Sequence, residues 1–455
     1  MKSKWQNKLV TVIGLGKTGL ATINYLAKQK ASIYAYDASD SNLPEIQKLS
    51  ELYPGKIKFT INQLDLNYVK KSNLVVTSPG IKPNNEIIQN CLSLGLRVIS
   101  DIQLAFDETN IPIIAITGTN GKSTTTALIS HILQSANLKA PYCGNIGVPI
   151  LDILNEDLDY LVVEVSSFQL TYCDSFKPKI AIWLNLTSDH LEFHENIENY
   201  IIAKNKLFEN LTSAEIAIIN HDDTIVKKVP TNAYLIPFSV KNDLSFCLSA
   251  IYIKNNFICI RYRQKNSVIC NINKISLIGE HNLENVLSAI ACSYVLGIKP
   301  DIIASAVASF KALEHRLEPV ITIKGKTFYN DSKATNTEST IKALNAFGDN
   351  VKLVLIAGGC DKGGPLNEFV KTIKNKVKSV VLIGEATQRF RDALIDNAYA
   401  NVYIATDLKN AIDLANSQEC DIVLLSPACS SYDMFSNFEE RGRAFKDIVL
   451  QRLAK

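Results

Sequence analysis

Ile113-Ile-Ala-Ile-Thr-Gly-Thr-Asn-Gly-Lys-Ser-Thr-Thr-Thr-Ala-Leu-Ile-Ser-His-Ile-Leu133 is the stretch that decides the fold. Ile113 to Thr117 reads as a short buried strand, Gly118 to Gly121 as a glycine loop, and the run from Lys122 as a helix. This is the order of parts that a phosphate-binding loop requires. Gly118 and Gly121 allow backbone N–H groups at Thr119 and Asn120 to turn on an anion, and the helix start adds partial positive charge. Lys122 adds a full charge, and Ser123 or Thr124 offers a hydroxyl to a Mg²⁺ bridging the same phosphates. The common pattern G-x-x-x-x-G-K-[S/T] needs glycine at 116, where this chain has Ile116, so the loop is a shorter G-x-x-G-K-S form.

Upstream, residues 8–37 read as strand, glycine turn, helix and strand, with Gly14-Leu-Gly16-Lys-Thr-Gly19 in the turn and Asp37 ending the second strand. Gly14 suits a tight turn, Gly16 lets a diphosphate approach the backbone, Gly19 packs helix on strand, and Asp37 stands where a ribose hydroxyl could be held. The motif speaks for a diphosphate and leaves the nucleotide open. Asn73-Leu-Val-Val-Thr-Ser78-Pro-Gly80 is a further strand and turn, Arg97 to Asp101 a last short strand, and a boundary falls between 101 and 111.

Downstream, Gly144-Asn145-Ile-Gly147 reads equally as a ligand loop or an ordinary turn. Leu161-Val-Val-Glu164 sets a carboxylate at the end of an apolar strand; it needs a partner there, and a Mg²⁺ at the phosphate loop supplies one. His190 and His194 have helical spacing, but no glutamate stands next to the first histidine and no third ligand is evident, so zinc is not expected and at least one of the two is read as a surface residue. Tyr200, Ile201, Lys204 and Phe208 share a helical face. From Phe328 onward, strands alternate with helical stretches, the pattern of a doubly wound parallel sheet.

A chain of 455 residues exceeds what one core serves. The expected organisation is α/β in three domains: Rossmann-like at 1–106, P-loop ATPase-like at 107–313, and a Rossmann-like doubly wound sheet at 314–455. The net charge of +3 from 48 basic and 45 acidic residues gives no case for nucleic acid, and no apolar run approaches a membrane span. Ten cysteines without any C-x-x-C pair fit a reducing cytoplasm.

Taken together, Gly118-Thr-Asn-Gly-Lys-Ser-Thr124, His190 followed by Ala203-Lys204, Glu314-His-Arg316, Asn330-Asp-Ser-Lys-Ala-Thr-Asn336 and Leu425-Ser-Pro-Ala-Cys-Ser-Ser-Tyr-Asp433 closely resemble the Mur ligases along essentially the whole chain. Asp331 to Asn336 and Ser426 to Phe438 look like the branch that adds D-glutamate. The resemblance implies transfer of the γ-phosphoryl of ATP to the L-alanine carboxylate of UDP-N-acetylmuramoyl-L-alanine, then attack of D-glutamate on the acyl phosphate. It further implies Mg²⁺ at two sites, one held by Ser123 and Glu164 and a second near His190 with a carbamylated Lys204. Lys122, His190 and Lys204 would be catalytic; Asn282, Arg316 and Asp331 match ATP positions beside the loop residues 118–124. Thr18, Asp37, Ser78, Gly80 and Asn145 match positions around the UDP-sugar, and Lys333, Thr335, Lys362, Ser431, Tyr432 and Phe438 match D-glutamate positions. The first glycine motif would then hold UDP rather than a nicotinamide, and a monomer is expected. A nicotinamide oxidoreductase fused to an NTPase leaves residues 314–455 unexplained, and a P-loop motor or transport ATPase needs no amino-acid site. A sister ligase adding another residue is the nearest alternative.

Overall fold

The computed structural model describes residues 4–361 and 363–453. Three sheets organise them, as the alternation of apolar runs and helical stretches predicts. The first has strands β1 (Leu9–Ile13), β2 (Ser32–Asp37), β3 (Ile57–Ile61), β4 (Leu74–Thr77) and β5 (Val98–Ile99), all parallel, in the order β3-β2-β1-β4-β5. The order reverses between β1 and β4, the switch point where an open α/β sheet leaves a crevice at its carboxyl edge. The Asp101–Glu108 stretch is a helix whose Ile102, Leu104 and Ala105 are fully buried.

The second sheet begins with β6 (Ile113–Thr117), every residue of which is buried, as expected of a strand covered on both faces. It continues through β7 (Tyr142–Gly144), β8 (Leu161–Glu164), β9 (Ile180–Trp183), β10 (Ile216–Asn220) and β11 (Tyr234–Ser239) to β12 (Ala250–Lys254), β13 (Phe257–Tyr262) and β14 (Lys265–Asn271). The order is β14-β13-β12-β11-β10-β9-β6-β8-β7, parallel except where β13 pairs antiparallel with β12 and β14. Because β6 lies between β8 and β9, the phosphate loop leaves the sheet with Glu164 on one side and the chain leading to His190 on the other.

The third sheet comprises β15 (Glu318–Ile323), β16 (Lys326–Asn330), β17 (Leu353–Gly358), β18 (Val377–Ile383), β19 (Val402–Ile404) and β20 (Ile422–Leu425), in the order β15-β16-β20-β17-β18-β19. It departs from the expected all-parallel sheet at one edge, where β15 forms an antiparallel hairpin with β16. That strand escaped the sequence reading because Glu318 to Ile323 carries a proline and little buried surface. Apolar layers cover both faces of this sheet, one around Leu355, Phe369 and Phe390, the other around Phe328, Ile412 and Phe445.

The chain divides into two compact units, residues 4–272 with 284–307 and residues 273–283 with 308–453. In the first unit the first two sheets share one continuous core, running from Val10 and Val12 through Ile102 and Ala105 to Ala115, Val163 and Trp183.

Candidate active site

Thr117 ends β6, and the chain enters the helix Lys122–Ser135 through Gly121 at φ +83°, a left-handed conformation that favours glycine. A Cβ at Gly121 would also sit 2.2 Å from Asn285 Oδ1, so the loop closes against that amide. Asn185, just past β9, braces the other side: its Oδ1 accepts from Asn120 N at 2.9 Å and its Nδ2 donates to Asn120 O at 3.1 Å. Thr119 is held by Thr187 N, which donates to its hydroxyl at 3.0 Å, and by the Tyr200 hydroxyl at 3.2 Å. Asn285 and Asn185 were not singled out in the sequence, since an asparagine carries no periodic signal; contact with the loop is what marks them.

Two lysines converge on this loop. Lys122 Nζ donates to the carbonyls of Gly118 and Thr119, each at 2.9 Å. Lys204, 1% exposed on the helix Ile197–Glu209, donates to Gly118 O at 2.9 Å and Thr117 Oγ1 at 3.2 Å. Its ammonium also lies 4.8 Å from the ring centre of Tyr200, one turn earlier. Burial, reinforced by the Lys122 charge, holds the Lys204 pKa well below the ordinary lysine value, against the opposing pull of Asp189 and Glu164.

Glu164, 2% exposed, pairs in register with Ile116 of β6 and accepts from Asn145 Nδ2 at 2.7 Å, while its backbone carbonyl accepts from Asn145 N at 3.0 Å. The loop 144–147 is thereby tied to the strand that carries the carboxylate. Ser123, 1% exposed at the helix start, and Glu164 on the adjacent strand are oxygen donors of the kind Mg²⁺ takes.

His190 has φ +56° and lies 3.6 Å from Asp189 Oδ2 and 3.7 Å from Glu192 Oε1. Burial lowers its pKa, with Asp189 opposing and the Lys122 and Lys204 charges adding to the shift. His194 is not a surface residue: it is 5% exposed, its Nε2 stands 2.9 Å from Ser167 Oγ, and burial pushes its pKa down to about 4. Phe168, Phe193 and Tyr200 surround the pair.

At the carboxyl edge of the first sheet, Thr18 lies in the first turn of the helix Lys17–Lys28, and Asp37 Oδ2 accepts from Leu15 N at 2.5 Å. Ser78 follows β4, its N–H donating to Ile13 O at 2.7 Å, and its Cβ would be 2.4 Å from a Cβ at Gly14. Gly80 lies two residues on, in open space. These positions gather around the β1/β4 switch point.

In the second unit, Asp331 follows β16 and is 7% exposed; Ser426 Oγ donates to it at 2.7 Å and Leu317 N at 3.1 Å. Burial raises its pKa to about 7, against those bonds and the Arg316 charge. Asn336 caps the helix Thr337–Asn345 that follows. Asn282, 8% exposed, donates through Nδ2 to Ile278 O at 2.7 Å. Lys333 Nζ lies 5.1 Å over the ring of Phe438, Thr335 N donates to Lys333 O, Ser431 is 2% exposed and Tyr432 is 74% exposed. Lys362 lies outside the described residues.

Arg441, fully buried on the helix Phe438–Leu453, joins two of these loops. It donates to Ser332 Oγ at 3.0 Å, Ser332 O at 2.8 Å, Cys429 O at 3.1 Å and Ser430 O at 3.3 Å. Burial brings its pKa down to about 10. Its signal in the sequence is a charge in an apolar stripe, four residues before Phe445 and eight before Val449, both fully buried.

A phosphate loop on one α/β sheet, a glycine-loop crevice on another and a third doubly wound sheet define a three-domain, phosphate-loop enzyme. Family models for a Mur ligase MurD-like N-terminal domain, a Mur ligase middle domain and a Mur ligase glutamate ligase domain match residues 8–100, 116–293 and 315–429. The chain belongs to the Mur ligase family, ATP-dependent ligases of peptidoglycan precursor synthesis. It is 39% identical to the UDP-N-acetylmuramoylalanine–D-glutamate ligase of Thermoanaerobacter pseudethanolicus, over 98% of this chain and 99% of that one. It is also 39% identical to the protein of the same name from Clostridioides difficile, over 98% of each. The fold recurs in the MurC ligase of Thermotoga maritima (TM-score 0.60, 17% identity, 98% of this chain and 99% of that one) and in the MurF ligase of that organism in complex with ADP (TM-score 0.60, 16% identity, 99% and 96%). Among the described residues no helix is long and apolar enough to cross a membrane.

Proposed function

We propose that this protein joins D-glutamate to UDP-N-acetylmuramoyl-L-alanine, forming ADP and phosphate, in the cytoplasm and as a monomer of three domains bounded near 106 and 313. The observation that carries the reading is the pair of lysines on the Gly118 carbonyl, one at the start of the phosphate-loop helix and one buried opposite it.

The chemistry explains why cations gather there. An alanine carboxylate oxygen bonds to the γ-phosphorus of ATP as the bond to ADP breaks, so two anions are brought together. Lys122, at the loop, offsets that charge. The amine of D-glutamate then bonds to the acyl carbon, phosphate leaves with its bonding electrons, and the amine gives up a proton. Mg²⁺, when bound, would supply further positive charge for this step, and Ser123 and Glu164 would hold it at one site. His190 and Lys204 would serve the second. A neutral Lys204 amine, favoured by burial, adds to CO₂ with loss of one proton, and the carbamate presents a carboxylate where an ammonium stood.

Thr18, Asp37, Ser78, Gly80 and Asn145 hold the UDP-sugar, and residues 118–124 with Asn282, Arg316 and Asp331 hold ATP. Lys333 and Lys362 supply the charges that select the carboxylates of D-glutamate, and Thr335, Ser431, Tyr432 and Phe438 complete its binding residues. The test is mass spectrometry of the product formed from ATP, UDP-N-acetylmuramoyl-L-alanine and a panel of amino acids. The expected product carries D-glutamate alone; incorporation of another residue in its place, or none, overturns the assignment.

A further inference from the structure

Lys17 stands inside the first glycine motif, between Gly16 and Thr18, and its side chain is exposed. Its Nζ reaches the loop after β7 and donates to Gly147 O at 2.7 Å. That loop is short and has three ties. Gly144 N donates to Val148 O at 3.0 Å and closes its base. Asn145 is fixed to Glu164 through both backbone and side chain. The third tie is Lys17, at the glycine end, where Gly147 has φ +72° and offers a carbonyl but no side chain.

We propose that Lys17 is a positioning residue that fastens the Asn145 loop of the central domain to the glycine loop of the N-terminal domain, so that the two halves of the UDP-sugar site are presented in register. This rests on the UDP-sugar reading of Thr18 and Asn145. The bond spans 130 residues of sequence and joins the residue before Thr18 to a carbonyl two residues beyond Asn145. Without it, the Gly147 end of the loop keeps only its backbone closure, while the Asn145–Glu164 bonds remain. The expected consequence therefore falls on binding of the UDP-sugar, not on the phosphoryl-transfer step beside Glu164. An ammonium-to-carbonyl bond suits this task, because arginine can replace it and methionine, of similar length, cannot.

Steady-state kinetics of the full chain, with the UDP-sugar acceptor varied at saturating ATP, Mg²⁺ and D-glutamate, tests the idea. Lys17→Met should raise the KM for the acceptor about tenfold while kcat and the KM for ATP stay within about twofold. Lys17→Arg should recover most of the loss, and Lys48→Met, another exposed lysine of the same domain, should behave as wild type. In an Asn145→Ala background Lys17→Met should add little, because its effect passes through that loop. An unchanged acceptor KM, an equal rise in the KM for ATP, or fully multiplicative effects of the two substitutions each overturn the proposal; the last places Lys17 directly on the diphosphate. Absence of acceptor-dependent turnover in the wild type is a separate result, which removes the functional reading and this inference with it.

Discussion

Lys122 and Lys204 donate to the same carbonyl, yet they carry opposite expectations. Lys122 works as a charge, and Lys122→Ala should lower kcat by about a thousandfold or more, because the lost interaction is strongest as phosphoryl charge develops. Binding of the UDP-sugar, measured by calorimetry without ATP, should be unchanged, since its positions lie on other loops. A loss of that binding would mean that the loop is structural. Lys204 works by losing its charge. From an ordinary pKa, deprotonation at neutral pH costs about 4–5 kcal/mol, and burial removes part of that cost. Lys204→Ala should be nearly inactive and regain part of its activity when formate or acetate fills the vacated space. Lys204→Arg keeps the cation and cannot form a carbamate, so full activity in that variant would exclude this chemistry.

The loops that follow β16 and β20 meet at Asp331, whose carboxylate accepts from Ser426 and Leu317 while buried. Its pKa in the fold, about 7, lies above the ordinary carboxylate value of 3.8, so the folded protein binds the proton more tightly than the unfolded chain. Stability from this group is present below pH 4 and is lost as pH rises through 7. Asp331→Asn cannot ionise, and its urea midpoint relative to wild type should climb between pH 4 and 7, by at most about 4 kcal/mol in stability. A pH-independent difference would show that Asp331 is ionised throughout. Elements of this kind separate what the sequence disclosed from what it hid. The phosphate loop was legible because strand, glycines, lysine and helix are contiguous, and the glycine motif around Thr18 for the same reason. Asn185 and Asn285 were not, because each acts on a loop distant in sequence and no spacing records that contact; the spacing of Arg441 marks its burial but not the loops it joins. Which of the two histidines is buried was hidden for a related reason: the i, i+4 relation of His194 to His190 is local, whereas its burial depends on Ser167 and Phe168 from another strand's end. Lys204 shared a face with apolar residues, which foretold its burial, but the carbonyl it meets came only with the fold.

At the scale of the molecule, the first two sheets are separate in hydrogen bonding and continuous in packing. Val12 of β1, 1% exposed, belongs to the same apolar cluster as Trp183 of β9, 0% exposed. The helix Asp101–Glu108 lies in sequence between the sheets, and its buried Ile102, Leu104 and Ala105 belong to that cluster too. A domain whose core ends at its own boundary can melt alone, whereas one whose core runs on into its neighbour exposes apolar surface on both when it opens. The N-terminal and central domains should therefore unfold in one transition. Trp183 can report this, because Trp5 is the only other tryptophan and Trp5→Phe leaves a single emitter in the central sheet. Val12→Ala removes two buried methyl groups from the N-terminal sheet and should cost about 2 kcal/mol. If the core is shared, this substitution lowers the urea midpoint read by Trp183 by the same amount as the midpoint read by circular dichroism for the first unit. An unmoved Trp183 midpoint would show that the N-terminal sheet unfolds on its own, and that the continuity of packing carries no cooperativity.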